Sequence, residues 1–208
     1  EPKAAPAGAN AYISTVLFRS QDEGLAVLPV HRLLRRMKLP VQEARRRLEK
    51  YFTIEEIQSD ISQRRGMFKD QLESAGRTVF VMATREGADL LVLREGVDLG
   101  GILTGPESAR WKGLDISVLH SLVIGEGLDM DANAAAESGE LFFTPWESTI
   151  MSALQEGTAE AAFLVRATSM DDIWDIATGG ERMPHKSSYF YPKLPSGLII
   201  FDHENALL

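Results

Sequence analysis

A chain of 208 residues with 44% hydrophobic and 25% charged side chains has the composition of a globular protein of one domain or two small lobes. It contains no cysteine, which excludes disulfides, thiol catalysis and thiolate metal sites together. Its 22 basic against 30 acidic side chains give a net charge of −8, which disfavours generic nucleic-acid binding, because phosphate neutralisation needs surplus Lys and Arg. No apolar run approaches the ~18 residues of a membrane span, so a cytoplasmic protein without membrane partners is expected. The charge is uneven: residues 32–77 hold 12 basic and 7 acidic groups, and the remainder 10 and 23. Such asymmetry marks an anion-binding face or an interface between complementary surfaces.

Residues 1–10, rich in Ala, Pro and Gly, read as an interior linker, and 11–208 as the domain that follows. Residues 12–18 and Leu25–Val30 read as two short strands around the turn Ser20–Gly24. Pro40 opens a helix whose Val41, Ala44, Leu48 and Tyr51 form one apolar stripe. Phe52-Thr53-Ile54 reads as a strand, and Ile61, Phe68, Leu72 and Ala75 as a second helix closed by Gly76. Thr78–Met82 and Leu90–Leu93 flank a polar turn and predict a hairpin. Residues 96–105 are Gly-rich and read as loop, with a lobe boundary expected near 96–110. A helix over 114–123 and an acidic, Ala-rich linker follow.

The last third alternates: a strand at Leu141-Phe142-Phe143, a helix capped by Thr144 and ended by Gly157, and a strand at Ala162–Val165. A helix capped by Ser169 and stopped by Gly179-Gly180 comes next, and a final strand at Leu198–Phe201. The expected class is α+β, a mixed sheet with hairpins and interleaved amphipathic helices.

The densest polar constellation is Gly180-Glu181-Arg182-Met183-Pro184-His185-Lys186-Ser187-Ser188-Tyr189-Phe190-Tyr191-Pro192-Lys193. Lysine charge beside serine hydroxyls suits a phosphate or a carboxylate. It is not a P-loop, because His185 stands where the glycine before the lysine must be, and Pro192 and Pro195 prevent the following helix. The bland account is a crossover whose aromatic residues pack beneath a loop. Asp129, Asp131, Asn133, Glu137 and Glu140 fall at calcium-loop spacing, but Ala134 replaces the glycine of the sharp turn. An acidic linker explains them better, and no metal is expected. None of the four histidines pair at metal-ligand spacing. His31, read at a strand-to-helix junction beside Arg32, is a structural hydrogen-bonding residue or a base.

Two segments, Leu28-Pro29-Val30-His31-Arg32-Leu33-Leu34 and Met183–Ile199, together resemble the second half of the bacterial and archaeal Domain of Unknown Function 1015 family. The second carries its Met-Pro-x-Lys-Ser, Tyr-Phe-Tyr-Pro-Lys-Leu and Gly-Leu elements in order; Val30 and Ser188 stand where threonine is expected. The resemblance implies a preceding half, absent from this chain, with an Asp-Gly-His-His-Arg-Tyr element similar to that of ParB-like and free-serine-kinase proteins. It further implies a nucleotide-dependent phosphotransferase using ATP or ADP with Mg through that half. The family's association with serine biosynthesis suggests a small hydroxylated substrate. Lys186, Ser187, Ser188 and Lys193, with His31 and Arg32, would complete a site for a phosphorylated or carboxylate ligand. The alternatives are a ParB-like nucleic-acid-associated regulator and a purely structural or interaction domain. The placement of His31 relative to Lys186 discriminates among them.

Overall fold

The computed structural model describes residues 15–57, 67–74, 78–195 and 197. The chain divides into two compact units, one of residues 1–26 and 190–208 and one of residues 27–189, so residues 96–110 lie inside the larger. In the smaller unit, residues 15–18 were expected to continue a strand but are irregular, and Leu17 is 90% exposed. The turn after them is closed by the Gly24 amide donating to the Asp22 carboxylate at 2.8 Å. The predicted strand at 198–201 lies outside the described residues.

The larger unit is built on a six-stranded sheet. Its strands are β2 (His31–Leu34), β3 (Phe52–Glu56), β4 (Val79–Thr84), β5 (Ala88–Leu93), β6 (Leu141–Thr144) and β7 (Ala161–Leu164), in the order 3-5-4-7-2-6. A separate two-stranded sheet pairs β1 (Ala26–Leu28) with β8 (Tyr189–Tyr191).

The α+β class holds, and the sheet expected to be mixed is antiparallel in all five of its pairings. The interleaved helices are reconciled with this by the strand order. Strands β3 and β4 flank β5, both antiparallel to it, and are joined in the chain through α2 (Met67–Ser74). Strands β6 and β7 flank β2 in the same way and are joined through α7 (Glu147–Glu156). Each is a split βαβ unit, in which an antiparallel strand fills the gap that a crossover leaves.

Side chains alternate across this sheet with period two. Leu33, Val79, Val81, Ala83, Ala162 and Leu164 share one face with Phe68 and Leu72 of α2 and with Ile150, Ala153 and Leu154 of α7. Leu34, Phe80, Met82, Leu91 and Phe163 share the other. That face packs α1 (Val41–Leu48), α5 (Asp115–Val118), α6 (Ala132–Glu137) and a π-helix, Leu119–Gly127. The two clusters bury both faces, which is why the central strands read as unbroken apolar runs.

The predicted helix over 114–123 is a single α-turn running into the π-helix, which extends it to Gly127. A Cβ at Gly127 would lie 2.5 Å from a Leu48 methyl, so glycine there permits the close approach to α1. The expected Ala-rich linker is α6: the Asp131 carboxylate accepts from the Ala134 amide at 2.7 Å, and alanine favours the helix that follows. The Gly-rich 96–105 stretch contains the short helix α3 (Leu99–Ile102), capped by Asp98, and α4 (Ala109–Lys112), capped by Ser108, follows it. Thr144 does not cap α7, which begins at Glu147 after Trp146; its hydroxyl instead accepts from the Trp146 amide. The helix α8 (Met170–Thr178) is capped by Ser169 as expected, and Gly157 ends α7 at φ 73°. No helix among the described residues is long and apolar enough to cross a membrane.

Candidate functional site

His31 and Arg32 are not at a strand-to-helix junction; they are the first two residues of β2, inside the sheet. Being adjacent in a strand, they face opposite ways. His31 lies on the α2 and α7 side and lines a hollow of about 500 Å³ with Leu72, Glu73 and Arg166. Its Nδ1 accepts the Val165 amide at 3.2 Å, which leaves the ring proton on Nε2. Arg32 lies on the α1 side, opposite Phe143 of β6 and Phe163 of β7 in register, and is fully buried. The two residues therefore cannot serve one cleft together.

Arg32 instead meets the second motif. One guanidinium nitrogen donates to the Lys186 carbonyl at 2.9 Å, another to the Val30 carbonyl, and the guanidinium carbon stands 5.6 Å from the Phe143 ring centre. Its Nε has no hydrogen-bond partner among the described residues, and no carboxylate there pairs with it. Burial pulls its pKa down to about 9, so it remains a cation at neutral pH. A buried cation without a counter-charge is uncommon, since desolvation of an ion costs several kcal/mol.

Above Arg32 the segment 183–188 forms a tight turn. Lys186 adopts φ 57°, a left-handed conformation seldom taken by a lysine. Three hydrogen bonds hold it there: Arg32 to the Lys186 carbonyl, the Ser187 hydroxyl to the Pro184 carbonyl, and the Thr168 hydroxyl to the Ser187 carbonyl at 2.7 Å. Ser187 is thus buried and structural, while the exposed Lys186 ammonium projects over Phe143 at 6.0 Å. Ser188 is half-buried beside them. Lys193 belongs to the smaller unit.

The Lys186 side chain lines a hollow of about 760 Å³ along the edge strand β6, together with Arg35, Glu137, Phe142, Phe143 and His185. Arg35 lies over the Phe142 ring at 5.0 Å. Two cations and an imidazole against one carboxylate make this wall receptive to an anion, and the uncompensated Arg32 charge beneath it adds in the same sense. Sequence reasoning missed Arg35, whose only signal was its place directly after the first motif.

The calcium-spaced residues do not converge. Asp129 is paired with Lys38, Asp131 caps α6, and Asn133 lies within it. No group of three metal-ligating side chains occurs among the described residues. Part of the basic stretch is paired with neighbouring carboxylates. Arg46 and Arg47 share Glu43, Arg45 lies 3.3 Å from Asp89, and Lys69 lies 3.7 Å from Glu73.

A second histidine, half-buried, was given no role in the sequence reading. His120, on the first turn of the π-helix, has an Nε2 with no hydrogen-bond partner among the described residues. Burial first, then the Arg32 and His185 charges, hold it down to about 3; burial and then Arg32 hold His31 to about 4. Unfolded, both titrate near 6.5, so the unfolded chain takes up protons first on acidification. Their neutral burial therefore supports the fold fully above pH 6.5, and that support is lost as pH falls through about 4 and 3. Urea unfolding at pH 7 and pH 4.5 is expected to differ by roughly 5 kcal/mol, and His120→Gln to remove about half of the difference. Equal stability of the native chain at both pH values would show that the two rings are not held neutral.

The model of the family described as "Protein of unknown function (DUF1015)" matches residues 1–117. The chain belongs to the DUF1015 family. That match takes in the Leu28–Leu34 motif and stops short of Met183–Ile199, where the sequence resemblance placed most weight. A search of curated proteins finds no match to this DUF1015 chain. Among solved structures it is similar to a conserved hypothetical protein from Pyrococcus furiosus, at 14% identity and TM-score 0.50, over 86% of this chain and 62% of that one. It also matches a free serine kinase in complex with AMP, at 12% identity and TM-score 0.48, over 84% and 57% of the two chains. A variant of a free serine kinase in complex with ADP matches at 12% identity and TM-score 0.47, over 85% and 58%. The chain thus spans under two thirds of the length of these solved proteins.

Proposed function

We propose that this DUF1015 chain contributes the anion-recognising part of a small-molecule phosphotransferase. The observation that carries the reading is the fully buried Arg32, which has no carboxylate partner among the described residues and is hydrogen-bonded to the backbone of the turn that lifts Lys186. A phosphate or carboxylate bound by Lys186 places negative charge near that cation and offsets a desolvation otherwise uncompensated. In this reading Lys186 touches the anion, Arg32 sets the turn and the local field, and Arg35 extends the positive wall. Charge developing on a transferring phosphoryl group is stabilised by such fixed cations without reorganisation.

In this proposal the nucleotide is ATP or ADP, a preceding half of the same protein supplies the Mg and the reacting groups, and the acceptor is a small hydroxylated amino acid. His31, neutral and on the far side of the sheet, takes no part in that transfer.

Titrating ADP, ATP and phosphoserine into the full-length protein and its Lys186→Ala variant tests this. A charge-assisted contact contributes about 1.5–3 kcal/mol, so the variant should bind roughly 10- to 100-fold more weakly. Equal affinity would remove Lys186 from the site and leave the turn a structural lock, for which the Ser187 and Thr168 hydrogen bonds already speak. Steeply salt-dependent DNA binding would instead restore the regulator reading, against which the paired state of Arg45, Arg46, Arg47 and Lys69 counts.

A further inference from the structure

A second hollow, of about 350 Å³, adjoins the one that Lys186 lines, and the two meet at His185 and Asn133, which border both. Their chemistry differs. The Lys186 hollow is cationic. The smaller one is walled by Trp111, Ser117, His120, Ser121, Met130 and Asp131, with no lysine or arginine.

Several of its polar groups already have partners. The Trp111 indole donates to the Arg182 carbonyl at 3.0 Å, so the ring is fixed with its polar edge satisfied. The Ser117 hydroxyl donates to the Trp111 carbonyl at 2.7 Å, and Asp131 accepts from the Ala134 amide. His120 is different: the residue borders the hollow, and its buried Nε2 has no partner among the described residues. A buried polar atom left in this state calls for an explanation, and a ligand atom is one that fits.

The surroundings fix what kind of atom that is. The imidazole is neutral at physiological pH, as derived above, so it offers one lone pair or one N–H and no charge. Its basicity is too low for it to hold a proton near pH 7, which makes it a hydrogen-bonding contact rather than a proton carrier. The π-helix that carries it is anchored by the close contact of Gly127 with Leu48, so the ring stands on a rigid element. π-Helical turns are rare and are frequently found at functional sites. A pinned indole, a thioether and a neutral imidazole together suit a flat, uncharged group with hydrogen-bonding edges.

We propose that the smaller hollow receives the uncharged heterocyclic head of the ligand whose anionic end Lys186 holds, and that His120 reads that head, so the ligand is a nucleoside phosphate. This rests on the anion-site reading above and adds where the nucleoside lies and which residue selects it. A sugar phosphate shares the anionic end and lacks the flat head.

Calorimetric titration of the full-length protein with pyrophosphate, ribose 5-phosphate and ADP separates the contributions. ADP is expected to bind at least 10-fold more tightly than the other two. His120→Ala is expected to abolish that advantage while leaving pyrophosphate and ribose 5-phosphate affinities unchanged, and His120→Gln, which keeps a neutral polar group, to recover part of it. Lys186→Ala should weaken all three. Should His120→Ala fail to fold, His120→Gln and the ligand ranking of the native protein still decide the matter. ADP binding no tighter than ribose 5-phosphate, or a His120 effect equal on all three ligands, overturns the head-group assignment alone. Failure of pyrophosphate to bind in a Lys186-dependent way overturns the anion site, and this proposal with it.

Discussion

Replacing Arg32 by methionine is expected to leave the fold nearly as stable as the native one while weakening anion binding about 100-fold or more. Two opposing effects act on stability. Removing a fully buried cation with no paired carboxylate relieves desolvation, and apolar replacement of buried ionic groups is neutral or stabilising by about 1–4 kcal/mol. Against this, the Val30 and Lys186 carbonyls lose a charged donor, at about 1–3 kcal/mol each where no water replaces it. The net falls within about 2 kcal/mol of zero. Binding has no such compensation, because both the local field and the anchor of the Lys186 turn are gone. Denaturant unfolding and pyrophosphate titration on the same preparation check the pair of outcomes. A variant that binds normally would show that Arg32 serves the fold only; a fall of more than ~4 kcal/mol would mean that its hydrogen bonds outweigh its desolvation.

Phe163→Ala is expected to give the largest loss of stability, roughly 3–5 kcal/mol. Phe163 is fully buried in β7, opposite Arg32 of β2 and Met82 of β4, and its ring belongs to the cluster under the π-helix. Removing it opens a cavity where strands on both sides hold the backbone and limit collapse. For a chain of this length each kcal/mol corresponds to about 2–4 °C, so the melting temperature should fall by roughly 6–20 °C in scanning calorimetry. Trp174→Ala, at a side chain 64% exposed on α8, should change stability by less than about 0.5 kcal/mol. A Phe163→Ala effect as small as that of Trp174 would place β7 outside the core.

Most elements were legible where one physical signal acted alone. The stripe of α1, the hairpin β4–β5 and the capped start of α8 followed from spacing, turn residues and a hydroxyl at the N-cap. β2 was misread because His31 and Arg32 interrupt its apolar run, and a doubly buried strand is usually recognised by the absence of such residues. The exception arises from function or from the paired backbone of the 183–188 turn, neither of which is local in sequence. The π-helix was invisible because Leu119–Gly127 is apolar nearly all round, and nothing in its pattern distinguishes i+4 from i+5 bonding. His120 inherited that obscurity. Lys186 gave no hint of a left-handed backbone, since that conformation is imposed by bonds from residues 18 and 154 positions earlier, Thr168 and Arg32. What the sequence did carry was the pairing of the two motifs, which the structure joins through a single guanidinium.

The threading of β2 between β6 and β7 bears on the order in which the molecule assembles. Strands β3, β4 and β5 are consecutive in the chain and can close among themselves soon after synthesis. β2 precedes them, yet both of its neighbours come more than one hundred residues later, as the pairings of Leu34 with Leu141 and of Arg32 with Phe163 show. Contacts of such long separation bear the heaviest loop-closure entropy and form slowly. The strand that leaves the ribosome first among the six is therefore held in waiting, and its arginine stays hydrated until β6 and β7 close on either side. Burial of that charge and completion of the Lys186 turn come late, so a nascent chain that ends before residue 186 carries all six strands of the sheet but lacks the lysine of the proposed anion wall.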